Sequence, residues 1–244
     1  MTSVVFCTPT LTRPYQPFLE AMERSVPALD AAGIEHRMVF EVGSVYISWT
    51  RSNMLQKAMK TDADTFVFLD HDLSWKPEDL IRLINHPGDV AAGDYRYKQD
   101  KEEYMGKIFS GDDDRPEVRP DGTIKAHAVP AGFLKASRAA VERFKEAYPE
   151  LKYGPELEWI DLFNHGAYSG TWWGEDYAFS RRWRDLGGEI HLIPDLDITH
   201  HTADAAYPGN LHKFLLRQPG GSEAKPKLTP RGKRHSTASS QIRS

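Results

Sequence analysis

Apolar and polar positions follow two rhythms along the first half of this 244-residue chain. Short apolar or β-branched runs at residues 3–8, 37–41, 65–69 and 90–92 read as strands, the first closed by Pro9. Between them, residues 18–30 and 48–60 carry apolar side chains at helical spacing, with Met54, Leu55, Ala58 and Met59 on one side of the second. Pro27 should kink the first helix or begin a second piece. Pro77 followed by Glu78 and Asp79 marks a further helix start, since proline suits the first turn and acids suit its positive end. Strands alternating with helices predict an α/β fold around a mainly parallel sheet.

The pattern loosens after residue 94. Residues 95–130 hold several Pro and Gly, the triplet Asp112-Asp-Asp114 and an Asp121-Gly122 turn signal before a β-type run at 123–129. This reads as a hairpin or loop over the site. The triplet reads as solvated loop, with a cation site as the alternative. Ser137 is placed to cap a helix over 137–147. Phe179, Trp183 and Leu186 are helically spaced and Gly187-Gly188 ends that helix, which puts Glu175 and Asp176 at its start. Acids at that end are favoured by the helix dipole alone. A strand over 189–199, interrupted at Pro194, delivers His200 and His201 at its end.

Composition narrows the class. At 40% hydrophobic and 27% charged residues the chain is that of a soluble globular protein. No apolar run approaches the roughly 20 residues that span a bilayer, and the first residues lack a signal-peptide pattern, so a cytoplasmic site of action is expected. The lone Cys7 lies in a strand and reads as buried packing. Charge divides the chain. Residues 221–244 carry six Lys or Arg against one Glu, a net +5, which leaves −9 of the overall −4 for residues 1–220. One domain over 1–220 and a basic, disordered tail over 221–244 are expected. The tail is either a solvated end or a contact for nucleic acid or another anionic surface.

The chemistry concentrates in Thr65-Phe-Val-Phe-Leu-Asp-His-Asp72. Its apolar run reads as a buried central strand, and ligands bind at the carboxyl ends of such strands. Asp70 and Asp72 project to one side there, as side chains two apart in an extended segment do. They are either a cation site or a strand-ending turn in which Asp caps backbone N–H groups. Arg51 and Asn53, early in a helix, are either phosphate-directed donors or an exposed helix-start pair. Trp172 and Trp173 offer flat apolar faces for a sugar or base, or pack in the core.

Taken together, Thr8-Pro9-Thr10, the segment from Arg51 to Ala58, Asp70-His71-Asp72, the loop at 129–134, Gly174-Glu175-Asp176 and a histidine after the last strand resemble a GT-A glycosyltransferase, family-2-like, with a DxD-type motif. The resemblance covers residues 3–202 and implies a Rossmann-like mixed sheet, mainly parallel, flanked by helices. It implies a donor site for a nucleotide-diphosphate sugar, UDP-sugar foremost, built from Thr8, Pro9, Thr10, Glu41, Arg51, Asn53, Asp70, His71, Gly132 and Trp173. It also implies Mn²⁺ or Mg²⁺ on Asp70, Asp72 and His200, with His201 as the alternative ligand, and Asp176 beside Glu175 as the catalytic pair. In an inverting enzyme Asp176 would be the base for the acceptor hydroxyl; with retention it would position donor or acceptor. The acceptor stays open between a glycan, a small molecule and a modified DNA base. Two other classes stand beside this reading. A nucleotidyltransferase would show a glycine-rich loop after the first strand, which residues 8–13 lack. A non-catalytic carbohydrate- or nucleic-acid-binding protein would have no need of Asp72 and Asp176 together.

Overall fold

The computed structural model describes residues 2–111 and 115–218. The Asp112-Asp-Asp114 triplet and the basic segment 221–244 lie outside the described residues. Strand β1 (Ser3–Thr10), helix α1 (Gln16–Ala31), β2 (Glu35–Val42), α2 (Ile47–Met59) and β3 (Thr65–Leu69) alternate as the pattern predicts. All five residues of β3 are buried, while β2 is exposed at every second or third position. The difference follows from sheet order, because β3 is central and β2 is an edge. Pro27 does not divide α1. It sits on the exposed face of the helix.

The chain continues through β4 (Leu73–Ser74), α3 (Pro77–Asn85), β5 (Val90–Gly93), β6 (Lys107–Ile108), β7 (Ile124–Ala128), β8 (Phe133–Ser137) and α4 (Arg138–Ala147). Pro77 and two acids open α3, and the Ser137 hydroxyl accepts from the Ala140 amide at 3.0 Å to cap α4. Two small hairpins follow, β9 (Lys152–Tyr153) with β10 (Trp159–Ile160) and β11 (Gly166–Tyr168) with β12 (Thr171–Trp173). Then come α5 (Glu175–Asp185), β13 (Ile190–Ile193), β14 (Ile198–His201), β15 (Ala206–Gly209) and α6 (Leu211–Arg217).

Eight strands form one sheet in the order β2-β1-β3-β8-β5-β13-β7-β6. Only β8 and β7 run against the rest, so the sheet is mixed and mainly parallel. This is the α/β architecture expected from the sequence. One expectation fails. Residues 129–134 read as a loop, yet Phe133 and Leu134 belong to β8, which runs antiparallel between β3 and β5. A lysine in the middle of its Phe-Leu-Lys-Ala-Ser sequence hides the strand. Lys135 is nevertheless 5% exposed, its ammonium donating to the His86 carbonyl.

Alternate strand residues feed two cores. Val5, Cys7, Phe66 and Phe68 pack with Met54, Leu55, Phe144, Phe179 and Trp183 on the face covered by α2, α4 and α5. Val4, Phe6, Val67 and Leu69 pack with Phe18, Leu29, Leu80 and Leu83 on the face covered by α1 and α3. Cys7 is buried as expected, and burial pushes its thiol up to about 12, too high for a ready nucleophile. A second sheet, β15-β14-β4, pairs His200 with Leu73 and so draws the end of β14 beside the end of β3. No helix among the described residues is long and apolar enough to cross a membrane.

Candidate active site

The backbone fixes the end of β3 first. The Asp70 amide donates to the Gly132 carbonyl at 2.9 Å, and the Leu73 amide donates to the Asp70 carbonyl at 3.1 Å. This turn opens both Asp70 and Asp72 onto a cleft of about 390 Å³, also lined by Pro9, Thr10, Leu11, Arg51, His71 and Glu175. The cleft lies where the parallel strands end, as the chemistry of such sheets leads one to expect.

Arg51 is the centre of the polar network. It leaves the second turn of α2, is 3% exposed, and joins Asp70 (Nη2 to Oδ1, 2.6 Å) and Glu175 (through Nη1). Burial alone would lower its pKa, but the two carboxylates outweigh burial and hold it charged. It is therefore not an exposed helix-start residue. Asp70 is fully engaged, since its Oδ2 accepts from the Tyr95 hydroxyl at 3.4 Å. The same hydroxyl accepts from the Gly132 amide at 3.1 Å. A side chain at Gly132 would run into Tyr95 and Asp70, which gives this glycine a steric reason. Gly132→Ala should lower stability by about 1–3 kcal/mol through overpacking, and a urea melt with an unchanged midpoint would refute that.

Asp72 has a different set of partners. Lys98 donates to its Oδ2, and His200 Nε2 faces the same oxygen at 3.5 Å. Burial would raise this carboxyl, but the contacts with His200 and Lys98 outweigh it and hold the group below the usual carboxylate range. His200 Nδ1 lies 2.8 Å from the Arg96 carbonyl, so Nδ1 carries a proton and Nε2 is the ring nitrogen left facing Asp72. His201 points elsewhere, its Nε2 2.8 Å from the Ser74 hydroxyl. Strand alternation thus separates two histidines that sequence could not. A carboxylate oxygen and an imidazole nitrogen converging in this way fit a divalent ion of the Mn²⁺ or Mg²⁺ type.

Asp176, in the first turn of α5, is buried beside this network. Its Oδ1 accepts from the Tyr177 amide at 2.7 Å. Burial first, and Glu175 next, push its pKa up to about 6 despite the opposing pull of Arg51. Glu175, by contrast, is committed to Arg51. Among the donor positions, Thr8 and Thr10 have buried hydroxyls without a hydrogen-bond partner, and His71 Nδ1 lies 3.1 Å from the Pro9 carbonyl. Thr8, Gly132 and Trp173 are not among the residues that line the cleft. Glu41 pairs with Lys57, and neither Glu41 nor Asn53 lines the cleft. Neither Trp172 nor Trp173 belongs to a core. Trp172 is 72% exposed, and Trp173 is braced by the Arg181 guanidinium 4.9 Å from its ring.

Tyr95 and Lys98 are site residues that the sequence reading missed. Both follow β5, so the rule that ligands gather at carboxyl ends of parallel strands would have pointed to them. A separate cluster, His86, Asp121 and His191, lies at the opposite, amino ends of β5 and β13. Thr123 holds Asp121 Oδ1, and the Gly88 amide donates to His86 Nδ1 at 3.0 Å. That bond occupies His86 Nδ1, while His86 Nε2, 3.4 Å from Asp121 Oδ2, is buried without a hydrogen-bond partner.

No protein-family model matches this sequence, and no curated protein does. Solved structures with a similar course include a Drosophila β-1,4-galactosyltransferase 7 in complex with manganese, UDP-Gal and xylobiose (12% identity, 94% of this chain and 82% of that chain, TM-score 0.49). GalNAc-T7 with UDP, GalNAc and Mn²⁺ is similar over 82% of this chain and 43% of its own (12% identity, TM-score 0.48). An inositol-1-phosphate CTP transferase from T. maritima is similar over 84% and 90% (8% identity, TM-score 0.44). Likenesses at this level assign no activity, and the chemistry has to be read from Arg51, Asp72, Asp176 and His200 themselves.

Proposed function

We propose that this protein is a divalent-metal-dependent glycosyltransferase that moves a sugar from a nucleotide-diphosphate sugar, with a UDP-sugar the first choice, to an acceptor hydroxyl with inversion. The observation that supports this reading best is Asp72 on the cleft at the end of β3 with His200 Nε2 3.5 Å from its Oδ2, and the buried Asp176 beside the Arg51–Glu175 pair that lines the same cleft. Residues 1–220 act as one catalytic domain, in the cytoplasm.

Asp72 and His200 would hold the divalent ion, which supplies Lewis-acid neutralisation of the diphosphate as it leaves. Asp70, its oxygens taken by Arg51 and Tyr95, instead presents a fixed negative edge to the donor's ribose or an ion-bound water. The unpaired hydroxyls of Thr8 and Thr10 are suited to the nucleoside. Asp176 accepts the proton of the acceptor hydroxyl while that oxygen bonds to the anomeric carbon and the bond to the diphosphate breaks. A pKa near 6 leaves most of this carboxylate ionised at neutral pH yet basic enough to help. Trp172, free on one face, is placed to stack an acceptor ring.

Calorimetric titration with UDP, GDP, CDP and dTDP, with and without Mn²⁺, tests the reading on wild type and Asp72→Asn. One nucleotide, expected to be UDP, should bind only with the metal and only with Asp72 intact. No metal-dependent binding to any of the four would remove the transferase reading.

A further inference from the structure

Lys98 lies in the segment between β5 and β6. Its ammonium contacts Asp72 Oδ2, the oxygen that His200 Nε2 also faces. The backbone around it is held without help from that ammonium. The Arg96 carbonyl meets His200 Nδ1 at 2.8 Å, the Tyr97 amide donates to the Glu103 carbonyl at 3.0 Å, and the Arg96 guanidinium donates to the Gln99 and Asp100 carbonyls at 3.2 and 3.0 Å. Lys98 itself is about one-third exposed. Its flexible stem can therefore swing the ammonium off Asp72 while the loop keeps its shape.

The charges around the cleft give that movement a purpose. Arg51 is locked between Asp70 and Glu175 and cannot turn to a ligand. An ammonium and a divalent ion on one carboxylate oxygen repel each other strongly at contact distance. A diphosphate brings further negative charge to a cleft that already holds Asp70, Asp72 and Glu175.

We infer that Lys98 is a tethered cation of the donor site: it neutralises Asp72 while no divalent ion is bound, yields Oδ2 to the ion, and then turns its ammonium to the diphosphate of the donor. This rests on the reading of Asp72 as an ion ligand. It makes Mn²⁺ and Lys98 competitors for one oxygen and partners on one substrate.

The test uses the full chain with Mn²⁺ alone, followed by electron paramagnetic resonance, on wild type, Lys98→Met, Lys98→Arg and Asp72→Asn. Lys98→Met should bind Mn²⁺ about tenfold more tightly than wild type, Lys98→Arg should stay near wild type, and Asp72→Asn should lose binding. UDP titrated at saturating Mn²⁺ should then bind Lys98→Met about tenfold more weakly. Equal Mn²⁺ affinity in wild type and Lys98→Met, with binding lost in Asp72→Asn, would overturn the inference and leave the metal site standing. Unchanged UDP affinity would overturn the diphosphate contact. Mn²⁺ bound by no variant, or equally by all, would remove the metal reading and the inference together. Matching thermal melts of the Lys98 variants exclude misfolding as the cause of either change.

Discussion

Asp176→Asn should lower kcat by about 10²–10⁴-fold, the usual contribution of a positioned general base, while UDP and Mn²⁺ still bind. The amide matches the carboxylate in shape and can still accept the Tyr177 amide hydrogen bond, so the helix start should survive. What it lacks is basicity. The wild-type rate should show an acid limb near pH 6, because burial and Glu175 hold Asp176 at about 6. The sign is fixed by the role: the working form is the carboxylate, so the rate falls about tenfold per pH unit below that value and levels off above it. Glu175→Gln, which removes a raising neighbour, should move the limb downward. An Asp176→Asn enzyme with wild-type kcat, or a rate flat from pH 5 to 8, would exclude Asp176 as the base.

Arg51→Met should cost about 3–5 kcal/mol, since removing one partner of a buried ion pair strands the other charges. Asp70 and Glu175 would then face each other across the vacated space, with Asp176 adjacent. Their side chains retain 24% and 20% exposure, so water can relieve part of the penalty and the lower end of the range is expected. In a domain of this size that corresponds to a fall in melting temperature of about 10 °C. A melting temperature within a degree or two of wild type would mean that Arg51 binds ligand without holding the site together. A double variant with Glu175→Gln should recover part of the loss, which separates charge from packing.

The sequence carried the scaffold further than the site. Residues 65–69 were legible as a strand because a β-branched threonine running into four apolar residues has few other uses. Ser137 was legible as a cap because a hydroxyl before a helix has a local job. Partners that depend on distant segments were not. Arg51 looks like any helix-start arginine until α5 brings Glu175, 124 positions away, against it. His200 and His201 differ only in which face of β14 they occupy, and that is set by pairing with β4. Glu41 was offered through the resemblance alone; it stands opposite Pro9 on the edge strand β2, with its carboxylate paired to Lys57. Lys98 and Tyr95 sit in a stretch with no periodicity at all, where local pattern has nothing to report.

The reversed strand β8 has a consequence for how the chain is made. β3 and β5 never pair with each other; each pairs with β8, whose last residue is Ser137. A ribosome that has released only the first 132 residues has presented three parallel strands on one side and β5 on the other, with open ladders between them. Chains that stall or are cut before Ser137 should therefore behave as sticky, chaperone-bound fragments, and emergence of that short strand should join β3 to β5, leaving β6 and β7 to be joined when β13 follows.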